Sequence, residues 1–225
     1  TLANKEQRGY VTPQEFNILA NQAQMDIFEQ YFYDLNQFRK IPGNDTMHAD
    51  MVDILEEKIS VFEVTAPLQG PIGGNNPANT GDLNTLPRFY RLSNVRRNNL
   101  ILESVSRKDY RMFPNSPLAA PTATRPIYTV DTVNNTIQVL GGRFGRLNID
   151  YIQSPRNVNW TYVVVGGKAL FNGTAIDRQD FDLHPSEEVE LVNKILALAG
   201  FTLKDQSLYQ IAAGEDSRNI QQEKQ

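Results

Sequence analysis

The sequence predicts an α+β protein, with N- and C-terminal helices packed as one helical layer and a central, mainly antiparallel β region inserted between them. Three observations carry that expectation. Apolar residues recur at three- and four-residue spacing over 16–38 and again over 189–199, the period of a helix with one buried face. Most of the 12 prolines and 14 glycines lie instead between 59 and 181, separating short β-branched and aromatic runs. A chain of 225 residues, 40% hydrophobic with 11 Phe, 9 Tyr and 1 Trp, can bury a core, which excludes disorder of the whole chain. The boundaries expected are 1–58, 59–181 and 182–225, with the first and last forming one helical domain.

The first helix starts at Thr12-Pro13-Gln14-Glu15, a capping box with Pro at the first helical position. Val11 and Phe16 stand where a hydrophobic staple packs. Phe16, Ala20, Ala23, Ile27, Tyr31, Leu35 and Phe38 then form an apolar stripe that Pro42-Gly43 ends. A shorter amphipathic helix places Met47, Met51, Ile54 and Leu55 on one face. Strands are expected at 59–65, 87–95, 99–106, 109–113, 126–131, 136–140, 146–152 and 160–165, with a tight hairpin at Asn134-Asn135. Residues 67–86 read as a long loop with little to bury, suited to meeting a partner.

The end of the chain returns to helix. Pro185, Ser186, Glu187 and Glu188 open it with carboxylates where the helix dipole favours them. Val189, Val192, Ile195, Leu196 and Ala199 are expected on its inner face, with Gly200 as the C-terminal cap. A further helix over 205–222 carries Leu208, Ile211 and Ala212, and turns polar after Gly214, where the chain orders on a neighbour or frays.

Residues suited to catalysis are scarce. The absence of cysteine removes disulfides, thiol catalysis and thiolate metal sites. His48 and His184 are far apart and lack the spacing of a metal-binding pair, so no metal and no cofactor is expected. Val163-Val164-Val165-Gly166-Gly167-Lys168-Ala169 comes near a strand entering a phosphate loop. It fails at Tyr162, where the loop needs Gly, and at Ala169, where it needs Ser or Thr. Gly141-Gly142-Arg143-Phe144-Gly145 lacks dinucleotide-loop spacing and reads as a turn. Glu187-Glu188 reads as dipole complementation before acid–base chemistry. The expectation is a protein that is not an enzyme.

Charge is more informative. The whole chain carries −4, yet between Arg88 and Arg111 seven basic residues (Arg88, Arg91, Arg96, Arg97, Arg107, Lys108 and Arg111) face two acidic ones, a net +5. From Asp177 onward the net is −5. Segregated charge suits head-to-tail self-assembly, and a basic hairpin suits nonspecific contact with a phosphate backbone. Residues 1–8 show no apolar stretch of signal-peptide length, and no run is long enough to span a membrane. The Asn-X-Ser/Thr sequences at Asn44, Asn134, Asn159 and Asn172 follow from a composition holding 36 Asn and Gln. A soluble intracellular product is expected.

Asn4-Lys5-Glu6-Gln7-Arg8-Gly9-Tyr10-Val11-Thr12-Pro13-Gln14-Glu15-Phe16-Asn17, with Ala23-Gln24 and the aromatic stretch from Phe28 to Phe38, resembles virion proteins of crAss-like and related short-tailed bacteriophages. Pro126-Ile127-Tyr128, Ile149-Asp150-Tyr151-Ile152 with Pro155 and Trp160, and Asp180-Phe181-Asp182-Leu183-His184-Pro185-Ser186-Glu187-Glu188 fit the same resemblance. It implies a head-to-tail connector, a homo-oligomeric ring of about twelve copies at the portal–tail junction of the virion. Its implied partners are further copies of itself, the portal protein, the next tail or ring protein and, nonspecifically, the genomic DNA that passes through the ring. The resemblance also implies portal docking by the C-terminal segment, through Leu203, Leu208, Tyr209, Ile211 and Ile220. The basic cluster would then line the lumen or a subunit interface. The alternative expectation is a tail-tip or fibre module that binds host glycans through Tyr128, Trp160, Tyr162 and Asn159.

Overall fold

The computed structural model describes residues 11–40, 46–68, 80–97, 100–141 and 147–202. In chain order its helices and strands are α1 (Pro13–Lys40), α2 (Thr46–Ser60), β1 (Glu63–Leu68), β2 (Thr80–Asp82), β3 (Phe89–Arg97), β4 (Leu100–Ile101), β5 (Glu103–Ser104), α3 (Arg107–Met112), β6 (Ile127–Asp131), β7 (Thr136–Leu140), β8 (Leu147–Gln153), β9 (Tyr162–Val165), β10 (Lys168–Phe171) and α4 (Glu188–Thr202). The fold class is α+β, as the sequence predicts. The chain divides into a helical unit, Thr1–Val61 with Pro155–Gln225, and a β unit, Phe62–Ser154. Residues 155–181, grouped with the β-rich region from composition, therefore cluster with the helices.

In the helical unit α1 starts as its capping box requires. The Glu15 carboxylate accepts from Thr12 N–H (2.8 Å) and Thr12 Oγ1 accepts from Glu15 N–H (3.2 Å). Ala20, Ala23, Ile27 and Tyr31 of the predicted stripe are buried, together with Gln24, Phe28 and Asp34. α1 packs against both α2 and α4. On α2 the buried face is Leu55 and Ile59, while Ile54, expected on that face, is exposed.

α4 is turned differently from the expectation. Val189 (64%) and Val192 (50%) face outward, and the inner face carries Glu190 and Leu191, with Glu187 buried in the 3-10 turn just before the helix. Ion pairs account for this rotation. Lys58 Nζ lies 2.7 Å from Glu187 Oε1, and Lys194 Nζ lies 2.9 Å from Glu190 Oε1 while donating to Gln30 Oε1 at 2.8 Å. Buried carboxylates are tolerated when cations reach them, so a paired polar seam displaces the two valines. Gly200 does not cap the helix but lies buried within it.

The β unit contains two four-stranded sheets. One has the order β1-β8-β3-β4 and is wholly antiparallel; the other has the order β2-β7-β6-β5, antiparallel except for the short β5–β6 pair. Alternation along β7 and β8 sends Ile137, Val139, Leu147, Ile149 and Tyr151 into one core with Val95 of β3. Gly81 lets β2 lie against that core, because a Cβ there would stand 1.9 Å from Leu68 Cδ2. Asn135, at φ 50°, closes the expected β6–β7 hairpin.

Four local expectations are corrected. The strand expected at 109–113 is helix α3, because Ser106 is its N-cap: its Oγ accepts from Asp109 N–H (3.1 Å) and donates to the Asp109 carboxylate (2.7 Å). The strand at 59–65 begins at Glu63, since α2 runs through Ser60. The strand at 99–106 is interrupted at the buried Leu102, whose N–H bonds back to Val95 O (2.8 Å). The loop at 67–86 is structured at both ends: β1 runs to Leu68, and β2 leads into a 3-10 turn, Leu83–Thr85, that buries Leu83, with Leu86 buried just after it. Residues 69–79 of that loop, and the expected helix over 205–222, lie outside the described residues.

Candidate assembly surface

The segment before β9 is held by side chains, where a strand would use backbone. Asn17, Asn21 and Gln24 follow one another along one face of α1. Asn21 takes both polar groups of Val158, accepting from its N–H (2.6 Å) and donating to its C=O (3.1 Å). Asn17 does the same with Trp160, at 2.8 Å and 3.3 Å. Gln24 donates to Arg156 O (2.8 Å) and accepts from Asp182 N–H (3.0 Å). The match is metric. From Asn17 to Asn21 four residues of helix rise about 6 Å, and two residues of extended chain advance about 6.6 Å; the three-residue step to Gln24 rises about 4.5 Å, and its longer side chain spans the difference. The Arg156 guanidinium grips the Asp182 carboxylate at 2.6–3.1 Å, and that hydrogen bonding and charge raise the Arg156 pKa further. Asn159 pairs its backbone with Gln179 and donates its amide to Asp177.

Trp160 anchors the next two strands. Its ring meets Phe16 edge-on at 6.1 Å and stacks on Tyr162 (6.0 Å) and Phe171 (6.2 Å). From this anchor β9 and β10 run out as an antiparallel hairpin in the register Tyr162↔Phe171, Val163↔Leu170, Val164↔Ala169 and Val165↔Lys168. Gly166 and Gly167, at φ 59° and 76°, make the two-residue turn, a conformation glycine adopts without strain. The near-miss phosphate loop is therefore a hairpin turn, and Gly-Gly between two apolar runs is the signal for it. Tyr162, Val163, Val164 (67%), Val165, Leu170 and Phe171 (53%) are all exposed. Both faces of the hairpin are apolar, and among the described residues neither outer edge is paired.

The basic cluster lies in the β unit. Arg96 on β3 is ion-paired with Asp150 on β8, and Arg107 on α3 pairs with Asp131 at 2.7 Å. Burial pushes the Asp150 carboxyl up, but hydrogen bonds from Arg96 and Thr65 and the Arg96 charge outweigh it, and the net shift is downward. A hydrogen bond from the Asn134 side chain leads in lowering Asp131, with Arg107 adding its charge. Arg88 reaches Ser154 O (3.0 Å) and Gln153 Oε1 (2.5 Å), and Arg97 reaches Ala123 O (2.5 Å). Arg91 is exposed on β3. Lys108 and Arg111 are exposed on α3 and make no ion pair among the described residues.

Leu203, Leu208, Tyr209, Ile211 and Ile220 lie outside the described residues. Of the four glycan-binding expectations, Tyr128 is buried in the core of the β unit, while Asn159, Trp160 and Tyr162 belong to the base of the hairpin in the helical unit. Among the described residues no His, Asp and Glu side chains group as a metal site, and no helix is long and apolar enough to cross a membrane. No protein-family model matches the chain, and no curated protein matches it.

Proposed function

We propose that this chain is a structural subunit of a tailed-phage virion, a non-catalytic ring protein that joins the portal to the tail around the DNA exit channel. The observation that carries an assembly role is the β9–β10 hairpin, which leaves six apolar side chains and two strand edges in solvent. Such a surface marks an interaction site, because an isolated two-stranded hairpin gains little stability in water by itself. The connector identity is supported by the sequence resemblance at Asn4–Asn17, 126–160 and 180–188. In this role Lys108 and Arg111 supply charge for passing DNA or an acidic neighbour, and 203–225 docks on the portal.

The test is the mass of the assembled species, measured by analytical ultracentrifugation and mass photometry with and without the phage's portal protein. A cyclic oligomer near the portal's copy number is expected. A stable trimer would favour a fibre or receptor module, and a monomer under every condition would overturn the proposal.

A further inference from the structure

Among the described residues, the terminal strands of the two four-stranded sheets are blunted. β1 carries Glu63 and Pro67, while β2, β4 and β5 are only two or three residues long. Short, charged and proline-bearing edges are how native sheets avoid pairing with another chain. The β9–β10 hairpin uses none of these devices apart from Lys168, its one charge.

The hairpin's own bonding parity identifies which backbone groups are free. Asn172 N–H donates to Thr161 O at 2.9 Å, so bonded pairs recur at 163/170 and 165/168. Tyr162 and Val164 on β9, and Ala169 and Phe171 on β10, therefore turn their N–H and C=O groups outward.

We propose that this hairpin is the head-to-tail joint between copies of the chain, with the β9 edge of one copy pairing antiparallel to the β10 edge of the next. The inference rests on the assembly role proposed above and specifies its contact. Electrostatics favours a second copy as the occupant, since a surface with one charge meets itself without like-charge repulsion. Area argues against a stable pair held by this hairpin in two copies alone. The six exposed apolar side chains offer roughly 500 Å² per copy, short of the ~800 Å² per partner of a standard stable pair. The two edges also differ from each other. Pairing β9 with β9 would leave every β10 open, whereas β9-to-β10 pairing uses both edges, as a head-to-tail ring requires.

Because the natural chain has no cysteine, disulfide mapping is free of background. Full-length Val164→Cys and Ala169→Cys proteins are oxidised gently, separately and mixed, under conditions where the wild type assembles. A mixed disulfide dimer is expected only from the mixture. A homodimer from Val164→Cys alone would mean two-fold pairing and overturn the head-to-tail joint. Absence of any cross-link while the wild type forms rings would overturn the joint and leave the assembly role intact. A wild type that stays monomeric at millimolar concentration and with portal present would overturn both. As a second measurement, Val164→Pro and Ala169→Pro each remove an outward N–H without touching the hairpin's internal ladder. Each is expected to cut the assembled fraction at least about tenfold, with the circular dichroism spectrum unchanged; assembly at the wild-type level by either variant would refute the joint.

Discussion

Replacing Asn21 with alanine removes the amide that serves both polar groups of Val158, a residue only 6% exposed. Each lost bond has a net worth of about 1 kcal/mol, and leaving its buried partner unsatisfied costs about 1–3 kcal/mol in its place. Two such groups put the expected destabilisation at about 2–4 kcal/mol, allowing for partial rescue by water. For a chain of this size that corresponds to a fall in Tm of roughly 5–15 °C. Differential scanning calorimetry measures the fall, and hydrogen exchange locates it, since the Val158 amide should lose protection while the α1 backbone keeps its own. Gln22, exposed on the same helix, provides the control, and Gln22→Ala should stay within about 0.5 kcal/mol of wild type. If Asn21→Ala also stayed in that range, or left Val158 protected, the amide would not be what holds this segment.

Gly81→Ala should destabilise the β unit by about 1–3 kcal/mol in urea unfolding, because the new methyl overlaps the buried Leu68 side chain. Glu187→Gln removes the carboxylate charge that faces the nearly buried Lys58 ammonium and should cost about 3 kcal/mol, whereas the paired change Lys58→Met with Glu187→Leu should recover most of that loss on chemical denaturation. The carboxyls of Asp150 and Asp131 are held below their ordinary value in the folded state, so they contribute stability above the unfolded pKa of about 3.9 that is lost as the pH falls through the folded one. Thermal scans should therefore show Tm dropping below about pH 4. Asp150→Asn should be less stable at neutral pH and respond less steeply to acid.

Local signals in the sequence carried over well wherever chemistry and partner lie within a few residues. The Thr12–Glu15 box set the start of α1, and alternation over 136–140 matched β7 residue for residue. The misreadings share a physical cause, which is that side-chain polarity was read without its partner. Tyr110, Met112 and Phe113 favour a strand by composition, yet Ser106 caps the N-terminus of a helix through Asp109 N–H. On α4 the valines looked like the inner face, but Lys58, contributed by α2, draws Glu187 inward. Asn17, Asn21 and Gln24 carry no local signal of their role, because the peptides they bind are 132–158 residues away. The hairpin turn was legible as Gly-Gly between apolar runs and was hidden by its likeness to a failed nucleotide loop.

The amides on α1 have one further consequence. Asn and Gln carry no charge and do not titrate, so acid and concentrated salt, which weaken Arg96–Asp150 and Arg156–Asp182, leave them unaltered. The Asn17 and Asn21 bonds at the hairpin's root are thus indifferent to ionic surroundings, while the Arg156–Asp182 pair and the Asn159 bond to Asp177 beside them are not. A titration with acid or salt should loosen the ion pairs first and release the Trp160 anchor last.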